Sequence, residues 1–132
     1  MVNQGQRMTL TITILPESLA VCRLDKEEPV PYWAHSGDFS SITHTLEELS
    51  ITCPQQNVPD SVKCDKGWKC LKVEGPLDFS LIGILASLTA CLANADISVF
   101  AISTYDTDYL MVKEENLDVA CLVLCQEGHN LK

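Results

Sequence analysis

An α+β fold, with helices on one face of antiparallel sheets, is what this sequence predicts, and three observations predict it. Residues Thr9 to Leu15 alternate strictly, with Leu10, Ile12 and Ile14 on one side and Thr9, Thr11 and Thr13 on the other, the two-residue period of a half-buried strand. Between Phe79 and Asn94 the period changes: Leu81, Ile84, Leu85, Leu88, Cys91 and Leu92 follow the i, i+3, i+4, i+7 spacing of one buried helical stripe. Strand-like and helix-like runs then alternate through the second half in the order β-α-β-β-α. A strand, a helix, a hairpin and a second helix covering one face of an antiparallel sheet is the ferredoxin-like pattern.

Each element has its own reason. Pro16-Glu17-Ser18 reads as a turn and Leu19 to Leu24 as a returning strand, so residues 9–24 are expected to form a hairpin. Asp25 to Asp38 lacks periodicity and carries Pro29, Pro31 and Gly37, which predicts a loop with room for one short helical turn. Phe39 to Thr45 and Leu49 to Cys53 are rich in β-branched residues and read as two short strands, the second closed by Pro54, which has no N–H to donate. The run from Pro54 to Gly67 holds Pro59, Asp60 and Asp65, punctuation between structural units, and a boundary is expected near Gly67. Trp68 to Glu74 reads as a strand, Gly75-Pro76 as a turn and Asp78 as the N-cap of a helix over 79–94. Ile97 to Ser103 and Tyr109 to Val112 read as strands. Glu114 and Glu115 suit the positive start of a last helix with Leu117, Ala120, Cys121 and Leu124 inward, Gly128 ends it, and His129 to Lys132 has the length for one edge strand.

Composition narrows the function classes. Nine Lys and Arg against eighteen Asp and Glu leave a formal charge of −9, which opposes binding to phosphate backbones and anionic lipid, so neither nucleic acid nor a membrane is expected as a partner. The most apolar run, Phe79 to Ala93, would span about 22 Å as a helix, short of a bilayer core of about 30 Å. Residues 1–8 lack the apolar core and cleavage site of a signal peptide. Seven cysteines are an odd count with no C-x-x-C pair, and together with the absence of an N-x-S/T acceptor they predict free thiols in a reducing cytoplasm.

No G-x-S-x-G, G-x-x-x-x-G-K-[ST], H-E-x-x-H or G-x-G-x-x-G occurs in the chain. No cofactor or metal is expected. Cys121 and Cys125, one helical turn apart, have the spacing of a soft-metal pair, but buried cysteine is more often a small core hydrophobe. Trp33 and Trp68 read first as core or interface anchors.

Two segments carry more chemistry. In Glu74-Gly75-Pro76-Leu77-Asp78-Phe79 a strand ends, the chain turns and a helix starts, so free backbone N–H groups converge where a carboxylate would bind; Asp78 caps the helix, borders such a site, or does both. In Ser103-Thr104-Tyr105-Asp106-Thr107-Asp108, six residues without an aliphatic side chain separate two apolar strands. Their hydroxyls and carboxylates either close a solvated turn or accept an ammonium or guanidinium group. If the two segments lie at related edges of neighbouring strands, one site serves both ends of an amino acid.

The strings Val73-Glu74-Gly75-Pro76-Leu77-Asp78-Phe79, Gly83-Ile84-Leu85-Ala86 and Val99 through Glu115 resemble the ACT-domain family, in particular small bacterial tandem-ACT proteins related to the CASTOR arginine sensors. The likeness extends to the first half through Leu46-Glu47-Glu48-Leu49-Ser50-Ile51-Thr52-Cys53-Pro54. The resemblance implies tandem ACT modules: a degenerate one over 1–67 and a β-α-β-β-α-β one over 68–132. It implies a regulatory, non-catalytic protein whose amino acid ligand lies between modules, against Gly83 with Ile82 and Ile84, and against Ser103, Thr104, Tyr105 and Asp108. The sensors use two pairs of modules where this chain has one, which implies a homodimer. Aliphatic Leu81 and Ile82 stand where the sensor is more polar, which favours an amino acid less basic or more apolar than arginine.

The leading expectation is therefore a cytoplasmic amino acid-binding regulator with Gly75, Gly83 and nearby amides on the carboxylate and Asp108, Ser103 and Thr104 on the amine or side chain. Its rivals are a ligand-free interaction module that pairs through a sheet edge and an enzyme that uses a cysteine with one of His35, His44 and His129.

Overall fold

The computed structural model describes residues 9–75 and 83–132. Its elements, in order, are β1 (Thr11–Leu24), β2 (Ser41–His44), β3 (Leu49–Pro54), β4 (Lys63–Val73), α1 (Ile84–Asn94), β5 (Phe100–Ser103), β6 (Asp108–Lys113), α2 (Leu117–Gln126) and β7 (Asn130–Leu131). Short 3-10 turns lie at Tyr32–His35, Gln55–Asn57 and Glu114–Asn116. The fold is α+β, as the periodicities predict, and the chain forms two compact units: one holds the described residues up to Leu15 together with those from Leu71 onward, the other is Pro16–Cys70.

In the first unit the strands run β7-β1-β4-β6-β5. Its second-half elements follow the expected β-α-β-β-α order, and the tail adds β7, which pairs parallel with β1 (Thr11↔Asn130, Ile12↔Leu131). The sheet is thus antiparallel at β5–β6 and parallel at this edge. The start of β1 lies between β7 and β4, so residues far apart in sequence complete one sheet. The core gathers the inward sides of these strands and helices: Leu10, Ile12, Leu71, Val73, Leu110 and Val112 from the strands, with Leu88 and Leu92 of α1 and Ala120 and Leu124 of α2. The predicted helical stripes are the buried ones.

Helix ends follow local chemistry. Helix α1 closes through Asp96, at φ +62°, and Ile97, whose N–H returns to the Leu92 carbonyl at 3.1 Å. That hydrogen bond ties Ile97 to the helix end, and β5 begins at Phe100 rather than at Ile97. Helix α2 ends on Gly128 at φ +101°, with the Gly128 N–H on the Cys125 carbonyl (2.9 Å) and the His129 N–H on the Leu124 carbonyl (3.2 Å).

The second unit has strand order β2-β3-β1-β4. Strand β3 pairs antiparallel with β1 from Leu19↔Pro54 to Leu24↔Leu49, and β2 pairs antiparallel with β3. Ala20, Cys22, Trp33, Leu49, Ile51, Cys53 and Val58 form its core, with Cys64 packed against it.

Two expectations are corrected. The hairpin over 9–24 is one continuous strand: Pro16 does not turn the chain, because its missing N–H falls between two pairing partners. The ladder to the C-terminal tail ends at the Ile14 N–H on the Lys132 carbonyl (2.9 Å), and the β3 ladder begins at Leu19. The Pro16 carbonyl instead accepts from Lys69 Nζ at 2.8 Å. Strand β4 likewise does not start after Gly67 but passes through it, with Gly67 at φ +85° and its N–H on Gln55 Oε1 at 2.8 Å. A glycine inside a strand absorbs this left-handed kink at no steric cost. The helix expected over 79–94 is described from Ile84, and 79–82 lie outside the described residues.

Candidate functional site

Strand β4 delivers buried Val73 to its end, followed by exposed Glu74 and Gly75. The β5–β6 hairpin closes on the pair Ser103↔Asp108, and the four residues between them form its loop. The loop is braced from within. The Thr104 N–H donates to the Thr107 carbonyl at 2.9 Å and the Thr104 hydroxyl to the same oxygen at 3.1 Å, while the Thr107 N–H reaches Thr104 Oγ1 at 3.4 Å. The Ser103 hydroxyl donates to Asp108 Oδ1 at 2.6 Å, a charge-assisted bond that orients the carboxylate and leaves Oδ2 for a second donor.

Thr107 fastens this loop to β4. Its side chain is buried at 5% exposure and its hydroxyl donates to the Val73 carbonyl at 2.5 Å, two residues before Gly75. The 103–108 loop is therefore tied to the end of β4, one residue before the Glu74–Phe79 segment, of which 76–79 lie outside the described residues. Thr104 and Thr107 stand three residues apart, the spacing of a hydroxyl-braced turn, which accounts for the bonds inside the loop but not for the one to Val73. Tyr105 lies at the tip, 82% exposed.

Helix α1 starts at Ile84 with Gly83 in the N-cap position at φ +83°, no side-chain cap hydrogen bond and no acidic residue in its first turn. Its positive end is thus not neutralised by its own first turn. Among the described residues nothing lies within 4 Å of the position a Gly83 side chain would take, and Ile84 is half-buried against the core. Asp78 and Ile82, expected as cap and as ligand contact, lie outside the described residues. The N-cap of the described helix is Gly83.

All seven cysteines are free thiols. Burial pushes Cys70 up to about 12 and raises Cys91 and Cys121, the reverse of what a nucleophilic cysteine needs. Cys22 and Cys53 hydrogen-bond each other, which raises Cys22 and lowers Cys53. No group of three or more His, Cys, Asp or Glu among the described residues is arranged to hold a metal ion. No helix among the described residues is long and apolar enough to cross a membrane.

An ACT-domain family model matches residues 63–126, and a separate N-terminal-domain model matches 17–61. Residues of this chain are 39% identical, over 64 positions, to the human cytosolic arginine sensor for mTORC1 subunit 1, covering 46% of this chain and 20% of the sensor. The chain therefore spans about a fifth of that relative's length. The solved structure of protein Atu0741 from Agrobacterium tumefaciens is 37% identical, with 96% of this chain and 94% of that one covered and a TM-score of 0.90. The ligand-free regulatory subunit of aspartate kinase from Thermus thermophilus shares the fold at 7% identity, with 91% and 97% covered and a TM-score of 0.65. Residues 63–126, which take in most of the β-α-β-β-α-β unit, are therefore an ACT domain.

Proposed function

We propose that this protein is a non-catalytic regulator that binds an amino acid at the end of β4. The Thr107 bond to the Val73 carbonyl carries this reading, because it holds the acceptor-rich loop beside Gly75. Amides at Gly75, Gly83 and Ile84 receive the carboxylate; Ser103, Thr104 and Asp108 receive the amine or the side chain, and Tyr105 covers it. Asp78 and Ile82 belong to the same set through the family resemblance. The protein acts in the cytoplasm as a homodimer, which supplies the second pair of modules that the arginine sensors carry in one chain. The relatives named for arginine sensing and for aspartate kinase regulation support a small-molecule regulatory role.

A thermal-shift screen against the twenty amino acids tests it. A ligand at about 100 times its Kd adds about 2.7 kcal/mol, which for a chain of this size raises the midpoint by about 10 °C. The expected result is a selective shift that disappears in Asp108→Ala while that variant still melts cooperatively. An unchanged shift in Asp108→Ala removes Asp108 from the site, and no shift with any amino acid points instead to a ligand-free interaction module.

A further inference from the structure

We propose that the Pro16–Cys70 unit carries a second small-molecule site, separate from the one above, that takes a zwitterion bearing a carboxylate and an ammonium group. An open surface cleft of about 340 Å³ lies there, lined by the exposed side chains of Arg23, Asp25, Lys26, Leu46 and Glu47. At about 30 Å³ per water it has room for a small amino acid.

The cleft lies between two turns, each locked by its own bonds. In the first, the Glu28 N–H donates to the Asp25 carbonyl (3.0 Å) and the Glu27 N–H to Asp25 Oδ1 (3.1 Å). In the second, the Thr45 N–H donates to the Glu48 carbonyl (2.9 Å), while the Glu47 and Glu48 N–H groups both reach Thr45 Oγ1 at 3.1 Å. Two ties then fix this end of the unit: Arg23 Nη2 donates to the Glu47 carbonyl at 3.0 Å, and His44 Nε2 bonds the Lys26 carbonyl at 2.8 Å. The backbone of this cleft is therefore set before a ligand enters, and binding orders only the Lys26 and Glu47 side chains.

Its charges are arranged but unspent. Arg23 uses one of its five N–H donors on the Glu47 carbonyl. Among the described residues the Lys26 ammonium and the Glu47 carboxylate have neither a hydrogen bond nor an ion pair, although both border the same cleft. The whole chain has nine cationic residues, and two of them stand here, so a carboxylate meets positive charge on an otherwise acidic protein. Asp25 gives Oδ1 to the Glu27 N–H and keeps Oδ2, so Asp25 and Glu47 both stand to receive an ammonium group. A lone anion would face Asp25 and Glu47 and a lone cation would face Arg23 and Lys26; a molecule carrying both charges meets a partner for each. Leu46, 84% exposed, offers an apolar surface for its carbon skeleton.

The test follows backbone amide NMR signals of the full chain with three probes: glycine, acetate and methylammonium. Glycine is expected to move the Lys26, Leu46 and Glu47 amides saturably in the millimolar range, with acetate and methylammonium each weaker by about fivefold or more. Lys26→Gln and Glu47→Gln change side chains that bond nothing in the described structure, so both variants keep the fold, and each is expected to weaken glycine about fivefold. Asp108→Ala leaves this response unchanged, which separates the two sites. Acetate equal to glycine, an unaltered affinity in Lys26→Gln, or no saturable movement at these amides overturns the proposal.

Discussion

Replacing Thr107 by valine removes one hydroxyl and keeps the side-chain shape, so it isolates the bond that fastens the β5–β6 loop to β4. The hydroxyl lies 2.5 Å from the carbonyl of Val73, which is itself fully buried. A neutral hydrogen bond contributes about 1 kcal/mol net, and a buried carbonyl that loses its donor raises the cost to about 2 kcal/mol. With an unfolding entropy of about 0.28 kcal/mol/K for a chain of this length, the midpoint should fall by about 7 °C. Thr107→Ser keeps the donor and loses one buried methyl, about 0.8 kcal/mol, so its midpoint should fall by about 3 °C. Circular dichroism melting of the two variants beside the native chain decides the matter. A valine variant that melts within about 2 °C of the native protein, or a serine variant that loses more than the valine one, would refute the claim that this hydroxyl holds the loop.

Two glycines with left-handed backbones should respond differently to alanine. At Gly37, φ +96°, a Cβ would run into the Pro54 ring, and strain plus clash should cost about 3 kcal/mol; at Gly83, φ +83°, no described residue stands in the way and strain alone costs about 1 kcal/mol, as urea unfolding will show. Cys70 predicts a pH dependence. Its folded-state pKa is raised from an ordinary 9.0 to about 12, so its contribution is complete below pH 9 and is lost as pH climbs from 9 toward 12. The loss is about 1.4 kcal/mol per pH unit across that window, and Cys70→Ala should flatten the curve measured by unfolding at stepped pH. A slope shared equally by the alanine variant would show that other groups set it.

The legible parts of the fold were those with a period. The stripes of α1 and α2 and the alternation from Leu10 to Ile14 appear as buried faces because burial itself creates those periods. Pro16 and Gly67 misled for a common reason: each is a chain breaker in isolation. Pro16 is harmless where no partner needs its N–H, and Gly67 lets β4 keep going through a kink that another residue would resist. Partners elsewhere in the chain decide such cases, Lys132 beside Ile14 and Gln55 beside Gly67, and local composition does not record them. The candidate site divides in the same way. Ser103 and Asp108 were legible because a polar run between two apolar strands is a local pattern, and register then brings them opposite each other. Thr107 was not, because its partner is a backbone carbonyl 34 residues away, to which any sequence would give the same atom.

The division of the chain has a consequence for how its ACT unit can be isolated. A boundary near Gly67 suggests expressing 68–132 alone, and the family match, 63–126, is similarly contiguous. Yet Leu10 and Ile12, at 7% and 0% exposure, sit in the core of the unit that contains α1 and α2. The tail depends on the same segment: the Asn130 N–H donates to the Leu10 carbonyl (2.8 Å), the Lys132 N–H to the Ile12 carbonyl (2.9 Å), and the Leu10 N–H to His129 Nδ1 (3.1 Å). Burying two aliphatic side chains of this size contributes about 3–6 kcal/mol, against a total stability of about 5–15 kcal/mol for a domain. Without residues 9–15, β7 also has no strand beside it, since β1 is its partner among the described residues. The 68–132 fragment should therefore unfold without a cooperative transition in urea. Adding a peptide of residues 9–15 in excess should restore part of the helical signal. A sharp unfolding transition in the fragment alone would mean that the inserted strand adds area to the sheet without being needed to complete the core.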